Sequence, residues 1–214
     1  MSGWEVARLD ELDSIPVAEG LVWHPVRRRF AIESFGVNAY TSEGVRQHVV
    51  EEHDEIGTGG AAHEELYVVV RGHAKFTVDG HDVDAPAGTF VFVRDPALKR
   101  GAIAEEEDTV VLAIGGRVGQ AYQVSPWESY FAAMPAMREQ RWAEAIELIE
   151  EGLREHPGNP SILYNLACAE SRAGRSLDAL LHLQEAVRAR PDYAERAHRD
   201  PDFDPIRREQ GFPR

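Results

Sequence analysis

Residues 57–95, GTGGAAHEELYVVVRGHAKFTVDGHDVDAPAGTFVFVRD, decide how the chain folds. Leu66 to Val70 is a short apolar run bounded by charge and by Arg71-Gly72, the pattern of a strand buried on both faces. Lys75 to Val78 alternates polar and apolar, Asp79-Gly80 supplies tight-hairpin chemistry, and Gly88 to Val93 returns as another β-rich run. Consecutive hairpins at this spacing predict a small antiparallel barrel or sandwich.

Upstream, residues 4–50 read as further strands: Trp4 to Leu9, Gly20 to Val26, Phe30 to Thr41 interrupted at Gly36, and Gly44 to Val50. Arg27-Arg28-Arg29 falls in a turn between two of them and reads as a solvated edge. Glu51 to Glu55 and the Gly/Ala-rich 57–62 together read as a long flexible loop at the barrel mouth. Downstream, Pro96 to Ile103 reads as a loop carrying Lys99 and Arg100, and Thr109 to Ile114 as the last strand, closed by Gly115-Gly116.

From Pro126 the apolar period changes from two to about 3.6. Shifted by one repeat of about 34 residues, the stretch 126–159 aligns with 160–193: Ala133 falls on Ala167, Ala145 on Ala179, Gly152 on Ala186 and Pro157 on Pro191. About three such units are needed to bury a continuous core, so two need help. Tyr193 to His198 is expected to add a helix, with Phe203, Ile206 and Phe212 anchoring a C-terminal cap.

Two resemblances follow from these residues. Glu65 and Gly72 fit the end of the first cupin motif, and Gly80, Pro86 and Gly88 fit the second at its spacing. The second-motif His is Val91 here, its Asn is Asp95, and the H-x-H pair would fall in Thr58 to Ala61, which holds no His. The repeats resemble the tetratricopeptide repeat. The expected architecture is a β-then-α chain of two domains. Residues 1–120 would form an antiparallel cupin-like barrel of the jelly-roll kind, and 121–214 an all-α helical-hairpin repeat domain.

The cupin resemblance implies a divalent transition metal held by His and Glu. With the standard positions altered, the remaining N/O donors are His53, Glu55, His63 and Glu65; the competing reading pairs Glu65 with Arg94 or Arg100. Arg94, Lys99 and Arg100 are the candidate small-ligand contacts, with Lys99 or Arg100 clamping a carboxylate if the barrel is an enzyme. Cys168 and His182 lie within the helical repeats and read as packing or surface residues.

A formal net charge of -14 excludes nucleic acid and anionic membrane as general partners, since both need a basic footprint. No apolar run approaches the roughly 20 residues of a membrane helix, and MSGWEVARLDELD lacks a signal-peptide pattern. The lone Cys168 fits a reducing compartment, so a cytoplasmic location is expected. The favoured function is a non-enzymatic adaptor or sensor without cofactor. Its barrel holds a small ligand or acts as a scaffold, and its repeats contact a protein or a second copy as a homodimer. The alternative is a metal-dependent cupin enzyme, a dioxygenase, isomerase or lyase, acting on a small organic acid.

Overall fold

In a computed structural model, which describes residues 5–18, 20–57 and 60–213, ten strands, with one short helix between the second and the third, precede five helices. The chain divides into two compact units, Met1–Val124 and Ser125–Arg214. The first holds β1 (Ile15–Ala18), β2 (Leu21–His24), α1 (Val26–Phe30), β3 (Gly36–Ser42), β4 (His48–His53), β5 (Glu64–Arg71), β6 (His73–Val78), β7 (His81–Pro86), β8 (Phe90–Val93), β9 (Arg100–Ala104) and β10 (Val110–Gly116). They form an antiparallel jelly-roll arrangement of two sheets, β1-β2-β3-β10-β5-β8 and β4-β9-β6-β7, rather than one continuous hydrogen-bonded barrel. Val49, Tyr67, Val69, Phe76, Val91, Val93 and Val111 fill the space between them.

The hairpin between β6 and β7 turns at Asp79-Gly80 as expected; both residues have positive φ, 48° and 77°, which a type I′ turn requires. Leu66 to Val70 is not buried on both faces. Tyr67 and Val69 point into the core, whereas Val70 is 54% exposed, so the run is a one-sided strand whose outer residues happen to be apolar.

The N-terminal half departs further from the sequence pattern. Trp4 lies outside the described residues, and Leu9, expected to end a strand, opens the 3-10 turn Leu9–Glu11. The three arginines expected in a strand-to-strand turn form most of α1, where Arg29 pairs with Glu5 at 3.2 Å. The strand expected from Phe30 begins only at Gly36. β4 extends through His53 and β9 begins at Arg100, so Glu51 to His53 and Arg100 to Ile103, assigned to loops, are in strands. Gly115 and Gly116 likewise belong to β10.

The second unit contains α2 (Pro126–Arg138), α3 (Trp142–Glu155), α4 (Pro160–Arg172), α5 (Ser176–Ala189) and α6 (Tyr193–Arg199). Equivalent helices start one repeat apart, at Pro126 and Pro160 and at Trp142 and Ser176. Pro160 suits the first helical position, and the Asn159 side chain accepts from the N–H groups of Ser161 (2.9 Å) and Ile162 (3.2 Å). Small residues sit where helices meet: Ala133, Ala145, Ala167, Ala179 and Ala186 are all fully buried.

Two apolar clusters divide this unit. One joins α2, α3 and α4 through Ala136, Ile146, Ile149, Ile162 and Leu166. The other joins α4 and α5 to the C-terminal segment, where Phe203, Ile206 and Phe212 are buried as anchors. Tyr164 stands at the second cluster's centre, with ring centroids 4.8 Å from Tyr193 and 5.3 Å from Phe203, and its hydroxyl donates to Asp200 at 2.9 Å. Cys168 packs in the same cluster, and burial pushes its thiol well above the usual range. His182 is less peripheral than expected, bonding the fully buried Glu170 at 2.7 Å.

Gly152 marks the closest helix contact: a Cβ there would lie 2.2 Å from Ser129 Oγ and 2.6 Å from Ser129 Cβ. Replacing a mid-helix glycine by alanine ordinarily gains about 1 kcal/mol of helix propensity. The overlap should outweigh that gain, since overpacking costs roughly 1–3 kcal/mol. Gly152→Ala is therefore expected to lower the denaturant midpoint of the helical unit, and Gly152→Ala/Ser129→Gly to recover most of it. An unchanged midpoint in the single variant would remove this account of the crossing.

Candidate functional site

Strand alternation places Glu65 and Tyr67 on the inner face of β5, opposite Val93 and Val91 of β8. In the facing sheet, the last residue of β4, His53, pairs across the ladder with the first of β9, Arg100. Four polar side chains from two sheets thus meet at one end of the core. Glu55 joins them by a turn: its N–H donates to Pro96 O at 2.9 Å, and its Oε2 accepts from Ala61 N–H at 2.8 Å. The segment expected to be a flexible linker is closely packed at Gly60, where a Cβ would lie 2.4 Å from the Glu55 carbonyl carbon. Thr58 and Gly59, at the expected H-x-H site, lie outside the described residues.

Glu65 Oε2 is the hub. Tyr67 O–H donates to it at 2.6 Å, Arg100 Nη2 at 2.6 Å and Arg100 Nε at 2.9 Å, while His53 Nε2 lies 3.5 Å away. Arg100 has no exposed surface, and its Nη1 donates to the carbonyls of Pro96 (3.0 Å) and Leu98 (2.9 Å). His53 Nδ1 donates to Glu51 O at 2.7 Å, which turns Nε2 toward the carboxylates.

These contacts push two carboxyls apart. Burial alone would raise the pKa of Glu65, but His53, Arg100 and Tyr67 hold it down at about 2. Burial, reinforced by the charge on Glu65, raises that of Glu55. Burial also acts to lower the pKa of His53, and Glu65 more than reverses it, so the imidazole is raised. The phenol of Tyr67 is pushed well up by burial and by Glu65.

Of the four metal ligands expected from sequence, His53, Glu55 and Glu65 bring donor atoms within 4.8 Å of one another. His63 stands outside that group, with its ring 5.4 Å from Tyr122 and its buried Nε2 without a hydrogen-bond partner. As arranged, the three donors do not fit a divalent metal. Glu65 Oε2 already receives three donated hydrogen bonds, and the adjacent guanidinium keeps its proton at any working pH. Two like unit charges about 4 Å apart repel by roughly 4 kcal/mol at a protein-like dielectric, and a divalent ion doubles that.

The expected ligand clamp also separates. Arg100 is buried in the hub; Lys99 is exposed and reaches Glu52 at 3.7 Å; Arg94 is exposed, its guanidinium 5.1 Å above the Phe92 ring. Sequence reasoning missed Tyr67, although the period-two pattern through Glu65 contained it. It also missed a cleft of about 510 Å³ lined by Arg8, Ser14, His24, Thr41 and Arg71, in which His24 Nε2 lies 3.0 Å from Thr41 Oγ1. No sequence motif links those residues; the pairing of β2 with β3 brings His24 and Thr41 together.

The helical unit has its own groove, of about 350 Å³. Tyr130, Met134, Met137 and Trp142 supply apolar surface, and Arg138, Arg172 and Asp202 supply charge. The Arg172 guanidinium lies 5.6 Å from the Trp142 ring and 3.9 Å from Asp202.

Residues 136–199 match the tetratricopeptide repeat model. Solved structures similar to this chain include KdgF from Halomonas sp., 18% identical over 50% of this chain and 86% of that one, with a TM-score of 0.41. An RmlC-like cupin from Shewanella frigidimarina is 14% identical over 54% and 91%, with a TM-score of 0.41. Streptomyces Pac13, a nucleoside dehydratase, is 16% identical over 52% and 81%, with a TM-score of 0.39. The sequence matches none of the curated proteins with which it was compared. No helix among the described residues is long and apolar enough to cross a membrane. The chain joins an antiparallel two-sheet β unit to a helical unit whose residues 136–199 match the tetratricopeptide repeat.

The hub gives its two carboxyls opposite effects on stability. Glu65, lowered from 4.5 to about 2, contributes stability that is complete above pH 4.5 and lost as the pH falls through 2. Glu55, raised by burial, contributes stability that is complete below its ordinary value and lost as the pH rises through its folded value. At pH 7, Glu65→Gln should therefore cost about 1.5–3 kcal/mol through weakened charge-assisted bonds, whereas Glu55→Gln should be neutral or stabilising. Arg100→Met, which strands a buried carboxylate, should cost about 3–5 kcal/mol. Denaturant unfolding of the four proteins at pH 7 and pH 4 provides the check.

Proposed function

We propose that the chain is a non-enzymatic binding protein whose helical repeats hold a segment of another protein and whose β unit is a self-sufficient scaffold. The groove on the helical unit carries this reading. It combines two methionines, which adapt to varied side chains, with an aromatic wall and two arginines. Such a lining suits an extended segment that places an apolar side chain beside a carboxylate.

The metal-dependent enzyme draws less support. Glu65 is occupied by Arg100 and Tyr67, and the arginine expected to clamp a substrate is itself enclosed. A small ligand for the β unit fits the cleft beside His24 better than Arg94, Lys99 and Arg100, which do not converge.

Fluorescence polarisation with labelled peptides pairing Met or Leu with Asp, Glu or a free C-terminus tests the groove. Saturable binding is expected, weakened about tenfold or more by Met137→Asp or Arg172→Ala, the loss of roughly 1.4 kcal/mol. It should be unaffected by Glu55→Gln. Absence of binding across such a set, or binding indifferent to both groove variants, would sink the reading.

A second reading, self-association through the β unit, rests on a separate observation. Phe90 and Phe92 of the edge strand β8 are 67% and 47% exposed, opposite Val68 and Leu66 and near exposed Val70. A contiguous apolar face on an edge strand is a pairing surface unless something covers it. Light scattering should give a mass near twice 23.9 kDa, falling to one chain in Phe90→Glu/Phe92→Glu. A wild-type monomer at every concentration removes this second reading.

A further inference from the structure

The hub brings three candidate metal donors within 4.8 Å of one another, and a buried cation is bonded to one of them. His53 Nε2 lies 4.0 Å from Glu55 Oε1 and 3.5 Å from Glu65 Oε2, and the Glu51 carbonyl fixes the imidazole through its other nitrogen. A metal-binding histidine is commonly oriented in that way, by a backbone acceptor on the far ring nitrogen. Ala61 N–H orients Glu55 from the opposite side. The only fixed cation among these described side chains is Arg100, fully enclosed, with two of its nitrogens on Glu65 Oε2 and the third on two carbonyls.

We infer that the Arg100 guanidinium is the resident cation of this site, and that it keeps closed a latent divalent-metal centre formed by His53, Glu55 and Glu65. The charge count favours this. Arg100 already sets a permanent countercharge 2.6 Å from Glu65 Oε2, so that carboxylate requires no ion. Lysine or histidine could yield such a position by losing a proton; arginine cannot. Entry of a metal therefore requires removal of the side chain, not a change of pH. With Arg100 gone, two carboxylates and one imidazole would face one another without a cation, a ligand set suited to a divalent transition metal.

Full-length protein purified without an affinity tag, titrated with Co2+ and followed by its visible d–d absorption and by thermal shift, tests this. Wild type should take up no stoichiometric Co2+. Arg100→Ala and Arg100→Gln should each bind one equivalent, about a hundredfold or more tightly than wild type, as relief of like-charge repulsion at this distance allows. Arg100→Ala/His53→Ala should lose that gain. Stoichiometric Co2+ in wild type that disappears in His53→Ala would overturn the inference, and so would folded Arg100 variants that bind no better than wild type. If neither variant folds alone, refolding with Co2+ decides: recovery of a cooperative β-unit transition supports the inference, and failure to recover rejects it.

Discussion

A guanidinium with no exposed surface, bonded to a carboxylate held near a pKa of 2, is the constraint that the β unit is built around. Burying two charges is costly unless their geometry is good and their remaining donors and acceptors are satisfied. Here Nε and Nη2 are spent on Glu65, Nη1 on two carbonyls, and Tyr67 adds a third bond to the same oxygen. The Pro96–Leu98 turn is therefore fixed by Arg100 as much as by its own backbone. Through Pro96 O, which also accepts from Glu55 N–H, the same turn positions the segment after β4. One side chain ties β5, β9 and two connecting segments together.

The helical unit solves a different problem. Two repeats leave an apolar face uncovered, and the C-terminal segment covers it with Phe203, Ile206 and Phe212. Tyr164 links this cap to α4 by ring packing and by its bond to Asp200, and Ser171 Oγ donates to Asp202 O at 2.7 Å. Cap and repeat are thus held by polar as well as apolar contacts. Asp202 also lines the groove beside Arg172, so closure of the core and the shape of the groove depend on one short segment.

Local chemistry in the sequence was legible; long-range pairing was not. Asp79-Gly80 specifies its turn through backbone conformation alone, and the small residues at Ala133, Ala145, Ala167 and Ala179 announce the helix crossings through their period. Arg100 was legible as a partner for Glu65, alongside Arg94, but not as a buried residue. An arginine after Pro96 and Lys99 has the composition of a solvated loop, and only the register that sets it opposite His53 makes it a core residue. Gly60 misled in the opposite way, since a glycine needed for close approach and one needed for flexibility are the same letter. Leu66 to Val70 misled because its outer residues are apolar too, the property that makes the exposed β8 edge notable.

Arg100 and a bound metal are two answers to one electrostatic requirement, the neutralisation of carboxylate charge at a largely buried end of the core. They differ in what else they permit. A metal with an open position can polarise a substrate, whereas a guanidinium whose donors are all engaged offers no open position and no exchangeable proton. The closer the hub comes to full satisfaction, the better it serves as a rigid element and the less it can serve as a reactive one. Glu55 differs from Glu65 in that burial and the neighbouring carboxylate raise its pKa instead of lowering it. That balance is why the proposed recognition surface lies in the groove of Tyr130, Met137 and Trp142, where apolar and charged groups remain open to contact, rather than in the enclosed hub.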